Sequence, residues 1–174
     1  ERETEDAELL DEVVDTLASL LVGQTTLFSR GPVAGLVGEV GRRRPEVIGP
    51  ALQPLVDFVD GSSGLGSSTS GLGRSTALFA LFEIGQSDYG VIDEHTDIFF
   101  DQIDSQRSDV RRAATQGLGL VGAEDDAQTE RATKALAERL DDSPFIRQEA
   151  VDALQRIHRE APDVVADSLG DRLD

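Results

Sequence analysis

The stretch Ser108-Asp109-Val110-Arg111-Arg112-Ala113-Ala114-Thr115-Gln116-Gly117-Leu118-Gly119-Leu120-Val121-Gly122 spaces Val110, Ala114, Leu118 and Val121 three and four residues apart. Those intervals lay one apolar stripe along a helix of 3.6 residues per turn. The same order returns in residues 144–158, with Ile146, Ala150, Ala153-Leu154 and Ile157. Two copies prompt a search for more, because a fixed period of a few tens of residues decides a fold. Four segments align on Gly41, Gly85, Gly122 and His158, which are 44, 37 and 36 residues apart. Eight residues before these anchors stand Val33, Ala77, Ala114 and Ala150, and one before stand Val40, Ile84, Val121 and Ile157.

A second helix follows each segment. It closes on an i, i+4 apolar pair: Leu55/Val59, Phe99/Ile103, Leu136/Leu140 and Leu169/Leu173. An N-terminal helix over about 6–22 ends on Leu17/Leu21 in the same register. Pro45, Pro144 and Pro162 stand near helix starts, where a missing N–H costs little. Ser108-Asp109 and Asp142-Ser143 offer N-cap side chains. The expected organisation is one domain over 1–174. It comprises a capping helix at 6–22, repeats at about 26–60, 74–104, 108–141 and 143–174, and a flexible Gly/Ser connector at 61–73.

The segments Asp109-Val110-Arg111 through Val121-Gly122 and Ile146-Arg147 through Ile157 resemble the HEAT-repeat family, especially the short repeats first described in phycobilisome lyases. The second repeat lacks the Val-Arg start, and the first carries Gly at several helical positions. The resemblance implies an all-α fold, a right-handed α-α superhelix of about four helix pairs plus the N-terminal capping helix. It implies no reaction, because no catalytic residues carry over.

The composition is acidic: 34 Asp and Glu against 16 Lys and Arg, for a net charge of −18. Lys134 is the single lysine, and there is no Cys, Met or Trp. Lys scarcity along the whole chain points to adaptation to high salt. There the Debye length falls to about 3 Å at 1 M, so crowded carboxylates scarcely repel one another. The absence of Cys excludes a disulfide framework, a zinc–thiolate cluster and a thiol nucleophile. No apolar run is long enough to span a membrane and no secretory leader opens the chain, so the expected location is the cytoplasm. The N-terminal helix, with a net charge of −7 over residues 1–22, has a polar side suited to capping a stack and reads as a natural end.

Three features are candidate contact surfaces for a protein partner. Two residues before each closing apolar residue stand Asp57, Asp101, Glu138 and Asp171, an acidic column that would line the concave side which second helices form in this family. Arg42-Arg43-Arg44 occupies the first intra-pair turn and could take an acidic partner. Phe79 and Phe82 stand where other repeats carry small or polar residues: Gly35, Gln116 and Asp152, or Gly38, Gly119 and Gln155. The pair either packs beside Gly35 and Gly38 of the preceding repeat, the favoured reading, or presents an aromatic face to a partner.

No enzymatic constellation is defensible. His95, in Asp93-Glu94-His95-Thr96-Asp97, sits among residues pointing in different directions, and His158 fits a helix end. No His-Glu dipeptide of the kind used by HEAT-like di-iron hydroxylases occurs. The expectation is a non-catalytic scaffold or adaptor with no cofactor or metal. The alternatives are an enzyme-accessory or lyase-type subunit binding a small ligand and, third, a nucleic-acid-binding solenoid. The last is disfavoured because phosphate binding needs converging cations and weakens steeply with salt.

Overall fold

The computed structural model describes residues 2–23, 30–61 and 71–170, and these contain no strand. The helices are α1 (Arg2–Val22), α2 (Arg30–Arg43), α3 (Gly49–Asp60), α4 (Gly71–Ser87), α5 (Asp97–Gln102), α6 (Ser108–Glu124), α7 (Thr129–Glu138), α8 (Pro144–Glu160) and α9 (Pro162–Gly170). Short 3-10 turns cover Pro45–Val47, Tyr89–Val91, Asp93–His95 and Arg139–Asp141. The protein is all-helical. It divides into two compact units, Glu1–His95 and Thr96–Asp174, and the boundary falls inside the segment expected to be the second repeat.

In the first unit, α2 lies along α4, α1 lies along α3, and α3 joins the two layers by packing on α4. The apolar offsets explain why. Ala34 and Val37 of α2, Ala77, Leu81 and Ile84 of α4, and Leu55, Phe58 and Val59 of α3 are all buried. Val14, Leu17 and Leu21 bury the inner side of α1. α3 stops at Gly61, whose φ of 81° is left-handed and whose N–H donates to the Asp57 carbonyl at 3.0 Å. A side chain there would be strained, so glycine is the natural helix end.

The second unit repeats the arrangement, with α6 along α8 and α7 along α9. α5 is a single short helix of 6 residues. The Asp93–His95 turn takes up the residues before it, and Ile98 and Phe99 bury its inner side. The Phe99 ring fills the space above Gly117, where a Cβ would lie 2.1 Å from Cδ1.

Both units use one packing register. A Cβ on Gly38 of α2 would sit 2.8 Å from Ala80 Cβ and 2.9 Å from Ala80 Cα of α4. A Cβ on Gly119 of α6 would sit 2.6 Å from Ala153 Cβ and 2.9 Å from Ala153 Cα of α8. The glycines stand three residues before their anchors and the alanines five before theirs. The anchors themselves follow suit, Gly41 receiving Ile84 and Gly122 receiving Ile157. Small residues let the helix backbones approach until they touch, and the isoleucines fill the step below.

Several expectations need correction. Gly71, Leu72 and Gly73, placed in the connector, open α4, while 62–70 lie outside the described residues. Ser108 is the first residue of α6 and Arg107 its N-cap, with no side-chain cap bond. Ser143 does occupy the N-cap of α8, but its hydroxyl makes no cap bond. Instead the Asp142 carboxylate accepts the Ser143 N–H at 2.6 Å.

Candidate functional site

Arg42 and Arg43 end α2, Arg44 follows it, and all three are exposed. Glu39, one turn earlier, reaches Arg42 at 3.0 Å and Arg43 at 2.6 Å, and Arg44 meets Glu46 at 2.5 Å. The hydrogen bond from Arg42 holds the Glu39 carboxyl below its ordinary range, and the bond from Arg44 does the same for Glu46. The turn is therefore a mixed ion-pair cluster rather than the converging set of free cations that a phosphate chain needs. Its carbonyl side is occupied too, since Ser87 Oγ donates to Arg42 O at 2.8 Å and ties α2 to the end of α4.

The acidic column is distributed over both units. Asp57, on α3 of the first unit, accepts a hydrogen bond from Gln53 at 2.7 Å. Asp101 and Glu138 are exposed on α5 and α7 of the second unit, while Asp171 lies outside the described residues. Cations stand among the carboxylates of that second unit. Arg131 of α7 bonds Asp97 of α5 at 2.7 Å and lies 3.7 Å over the Phe100 ring. Lys134 pairs with Glu130 at 2.6 Å. Arg139 reaches Asp104 at 2.8 Å and Glu138 at 3.6 Å. The second-helix surface here alternates in sign and is no unbroken acidic ladder.

Phe79 and Phe82 share one side of α4, their ring centroids 5.7 Å apart and their planes inclined by 45°. The expected large-to-small fit is not made. A Cβ on Gly35 would lie 3.6 Å from Thr76 Cγ2, and one on Gly38 would meet Ala80 first and Glu83 Oε2 beyond at 3.5 Å. The close approach at Gly38 leaves no room for an aromatic ring, so Phe79 turns outward and is 41% exposed. Phe82 is half-buried.

One column escaped the sequence reading. Arg30, Arg74, Arg111 and Arg147 stand eleven residues before the four anchors. The guanidinium groups turn back to the chain that closes the preceding second helix. Arg30 is fully buried, donates to the carbonyls of Val22 and Gly23 at the end of α1, and stacks 5.9 Å over Phe58. Arg74 lies against Gly61 at the end of α3. Arg111 donates to Ser105 O at 2.8 Å after α5, and Arg147 to Leu140 O at 2.9 Å and Asp142 O at 3.3 Å after α7. A helix C-terminus presents unpaired carbonyls and partial negative charge, so a cation there satisfies both. Arg111 also grips Asp142 with two bonds of 2.9 and 3.0 Å, linking successive turns of the second unit. That bond, opposed by partial burial, holds the Asp142 carboxyl below its ordinary range. The signal was available as Arg at a constant offset. It was hidden because only Val110-Arg111 and Ile146-Arg147 have the apolar residue in front, whereas Ser29 and Gly73 precede the other two.

Among the described residues no cluster of His, Asp and Glu is placed to hold a metal ion. His95 is half-buried in a 3-10 turn and His158 is exposed on α8. No described helix is long and apolar enough to cross a membrane. No family model matches the chain, and no curated protein matches it. Among the solved structures it does match is the crystal structure of an engineered protein from the Northeast Structural Genomics Consortium. That match has a TM-score of 0.68 and 19% identity, and covers 89% of this chain and 67% of that one. At that identity the likeness speaks for an all-helical fold and for nothing else.

Proposed function

We propose that the chain is a right-handed, HEAT-like α-α superhelix that works as a non-catalytic scaffold or adaptor for another protein. The observation that carries this reading is the repeated register: Gly38 on Ala80 and Gly41 on Ile84 in one unit, Gly119 on Ala153 and Gly122 on Ile157 in the other. Helix pairs stacked through one recurring contact build an extended preformed surface, and such surfaces bind with little loss of ordering entropy. The recurring arginine behind each second helix supports the same reading, since it fixes how one pair follows the next. The acid-rich, lysine-poor composition fits a cytoplasmic protein working in concentrated salt.

Binding of nucleic acid finds less support, because the one run of three arginines is paired with Glu39 and Glu46. The test is an affinity pull-down of the chain at multi-molar salt, with mass spectrometry of what co-purifies and a parallel nuclease-treated sample. A recurrent protein partner retained after nuclease treatment is expected. Recovery of nucleic acid alone would overturn the reading.

A further inference from the structure

α1 carries a second apolar row beside the one it buries. Val14, Leu17, Ala18 and Leu21 face the core of the first unit. Positions 9, 13, 16 and 20 form another line, about a third of a turn round the helix. Leu9 is 63% exposed and Val13 is 39% exposed. With Thr16 and Leu20 they line two adjoining shallow grooves of about 260 and 510 Å³. The Thr16 hydroxyl is occupied within the helix, donating to Glu12 O at 2.8 Å. Beside the polar side expected of a capping helix, α1 therefore presents large apolar side chains to solvent, and rows of that kind mark contact sites.

The rim of this row has one sign. Glu8, Asp11, Glu12 and Asp15 are exposed, and no basic residue occurs between Glu8 and Val22. Among the described residues none of the four is ion-paired, unlike Glu39 and Glu46 of the same unit. An occupant must therefore offer an apolar row flanked by cations. A second copy of this chain does the opposite, because apposed α1 faces would double the carboxylates along one seam.

We propose that this face of α1 docks a basic amphipathic helix of a partner protein, its apolar row set along Leu9, Val13 and Leu20 and its Lys or Arg flanks against Glu8, Glu12 and Asp15. The proposal rests on the scaffold reading and names the surface and the partner chemistry. It is the helix-on-apolar-face mode of recognition, in which anchors one turn apart supply affinity and flanking charge supplies orientation. In dilute salt the charges add to the apolar contact. In molar salt, with a Debye length of about 3 Å, only pairs in contact persist and the apolar row carries the affinity.

The test uses three labelled helical peptides: a Leu row with Arg flanks, the same row with Glu flanks, and Arg flanks with Ser in place of Leu. Each is titrated by fluorescence anisotropy against the full chain and against the Leu9→Ser/Val13→Ser variant, at about 0.15 and 1 M salt. Both substituted positions are exposed, and circular dichroism checks that the variant keeps its helices. At about 0.15 M salt the Arg–Leu peptide is expected to bind at least about tenfold tighter than either control; at about 1 M its margin over the Glu-flanked peptide narrows, while its margin over the Arg–Ser peptide stays. The variant is expected to lose about tenfold or more, the scale on which a partly buried leucine or valine contributes. Equal binding of the Arg–Leu peptide to the variant would overturn the site, as would equal binding of the Arg–Ser peptide to the wild-type chain. Self-association of the wild-type chain that the variant abolishes, without peptide binding, would assign the face to a second copy and overturn the proposal. A pull-down partner retained equally by the variant would overturn this site and leave the scaffold reading standing. Recovery of nucleic acid alone would instead remove that reading.

Discussion

Two glycines three residues apart on α2 should respond to the same substitution with opposite signs. Gly35 and Gly38 both lie inside the Arg30–Arg43 helix. Replacing a mid-helix glycine by alanine favours the helix by about 1 kcal/mol, because the unfolded chain has less freedom to lose. At Gly35 the new Cβ would find its nearest neighbour, Thr76 Cγ2, at 3.6 Å, an ordinary contact. Gly35→Ala should therefore stabilise by about 0.5–1 kcal/mol. At Gly38 the Cβ would meet Ala80 Cβ at 2.8 Å and Ala80 Cα at 2.9 Å. A backbone atom cannot swing aside as the end of a long side chain can, so α2 and α4 must separate. Such overpacking costs about 1–3 kcal/mol, which outweighs the propensity gain. Gly38→Ala should come out net destabilising by about 1 kcal/mol, and Gly119→Ala against Ala153 should behave likewise. For a chain of this size 1 kcal/mol moves the melting midpoint by about 2–4 °C. Far-UV circular dichroism during thermal and urea unfolding, at fixed salt, reads the shifts. If Gly38→Ala stabilises as Gly35→Ala does, α2 and α4 do not touch at this register and the repeat argument loses its basis.

The Arg111–Asp142 pair, with both side chains less than a fifth exposed, should give a coupling of about 1–2 kcal/mol in a double-mutant cycle at low salt. Because Asp142 titrates below the ordinary aspartate value when folded, its contribution is present above that ordinary value and is lost as pH falls through the folded one. The stability gap between wild type and Asp142→Asn, followed by urea unfolding, should accordingly close on acidification. Arg147→Met keeps the apolar stem but removes the donors to Leu140 O and Asp142 O. It should cost about 1 kcal/mol, measured by the urea midpoint. Phe79→Ser should leave the protein folded and cost about 1 kcal/mol or less, since the ring is already 41% exposed. Loss of the folded state on thermal melting would show that the ring is packed after all.

Much of the helix layout was legible because apolar residues at offsets of three and four constrain a helix strongly. The stripes through Val37, Leu81, Leu118 and Leu154 mark α2, α4, α6 and α8, and every one of these residues is buried. What was not legible depends on how helices are rotated against each other. Gly35 and Gly38 suggested a hollow for Phe79 and Phe82. In fact the hollow is closed by backbone, with Ala80 as the residue that enters it. The length of α5 was hidden for a related reason. Its closing pair Phe99/Ile103 reads as a full second helix, yet two 3-10 turns, at Tyr89–Val91 and Asp93–His95, carry much of the connection. Charge columns were the least legible. A column of Asp57, Asp101 and Glu138 looks uniform in sequence, whereas Arg131 and Arg139 approach from neighbouring positions that no acidic-column count includes. The outer row of α1 was missed because Leu9 and Val13 stand among the carboxylates that dominate the helix.

The two units share one register, and contacts between glycine and alanine report it directly. In a sample carrying labelled alanine methyls, nuclear Overhauser effects from Ala80 to Gly38 and from Ala153 to Gly119 should both be strong, as befits helices whose backbones touch there. A strong effect for one pair and none for the other, or Phe79 ring protons at Gly35 in place of Thr76, would contradict the shared register and the stacked-repeat reading built on it.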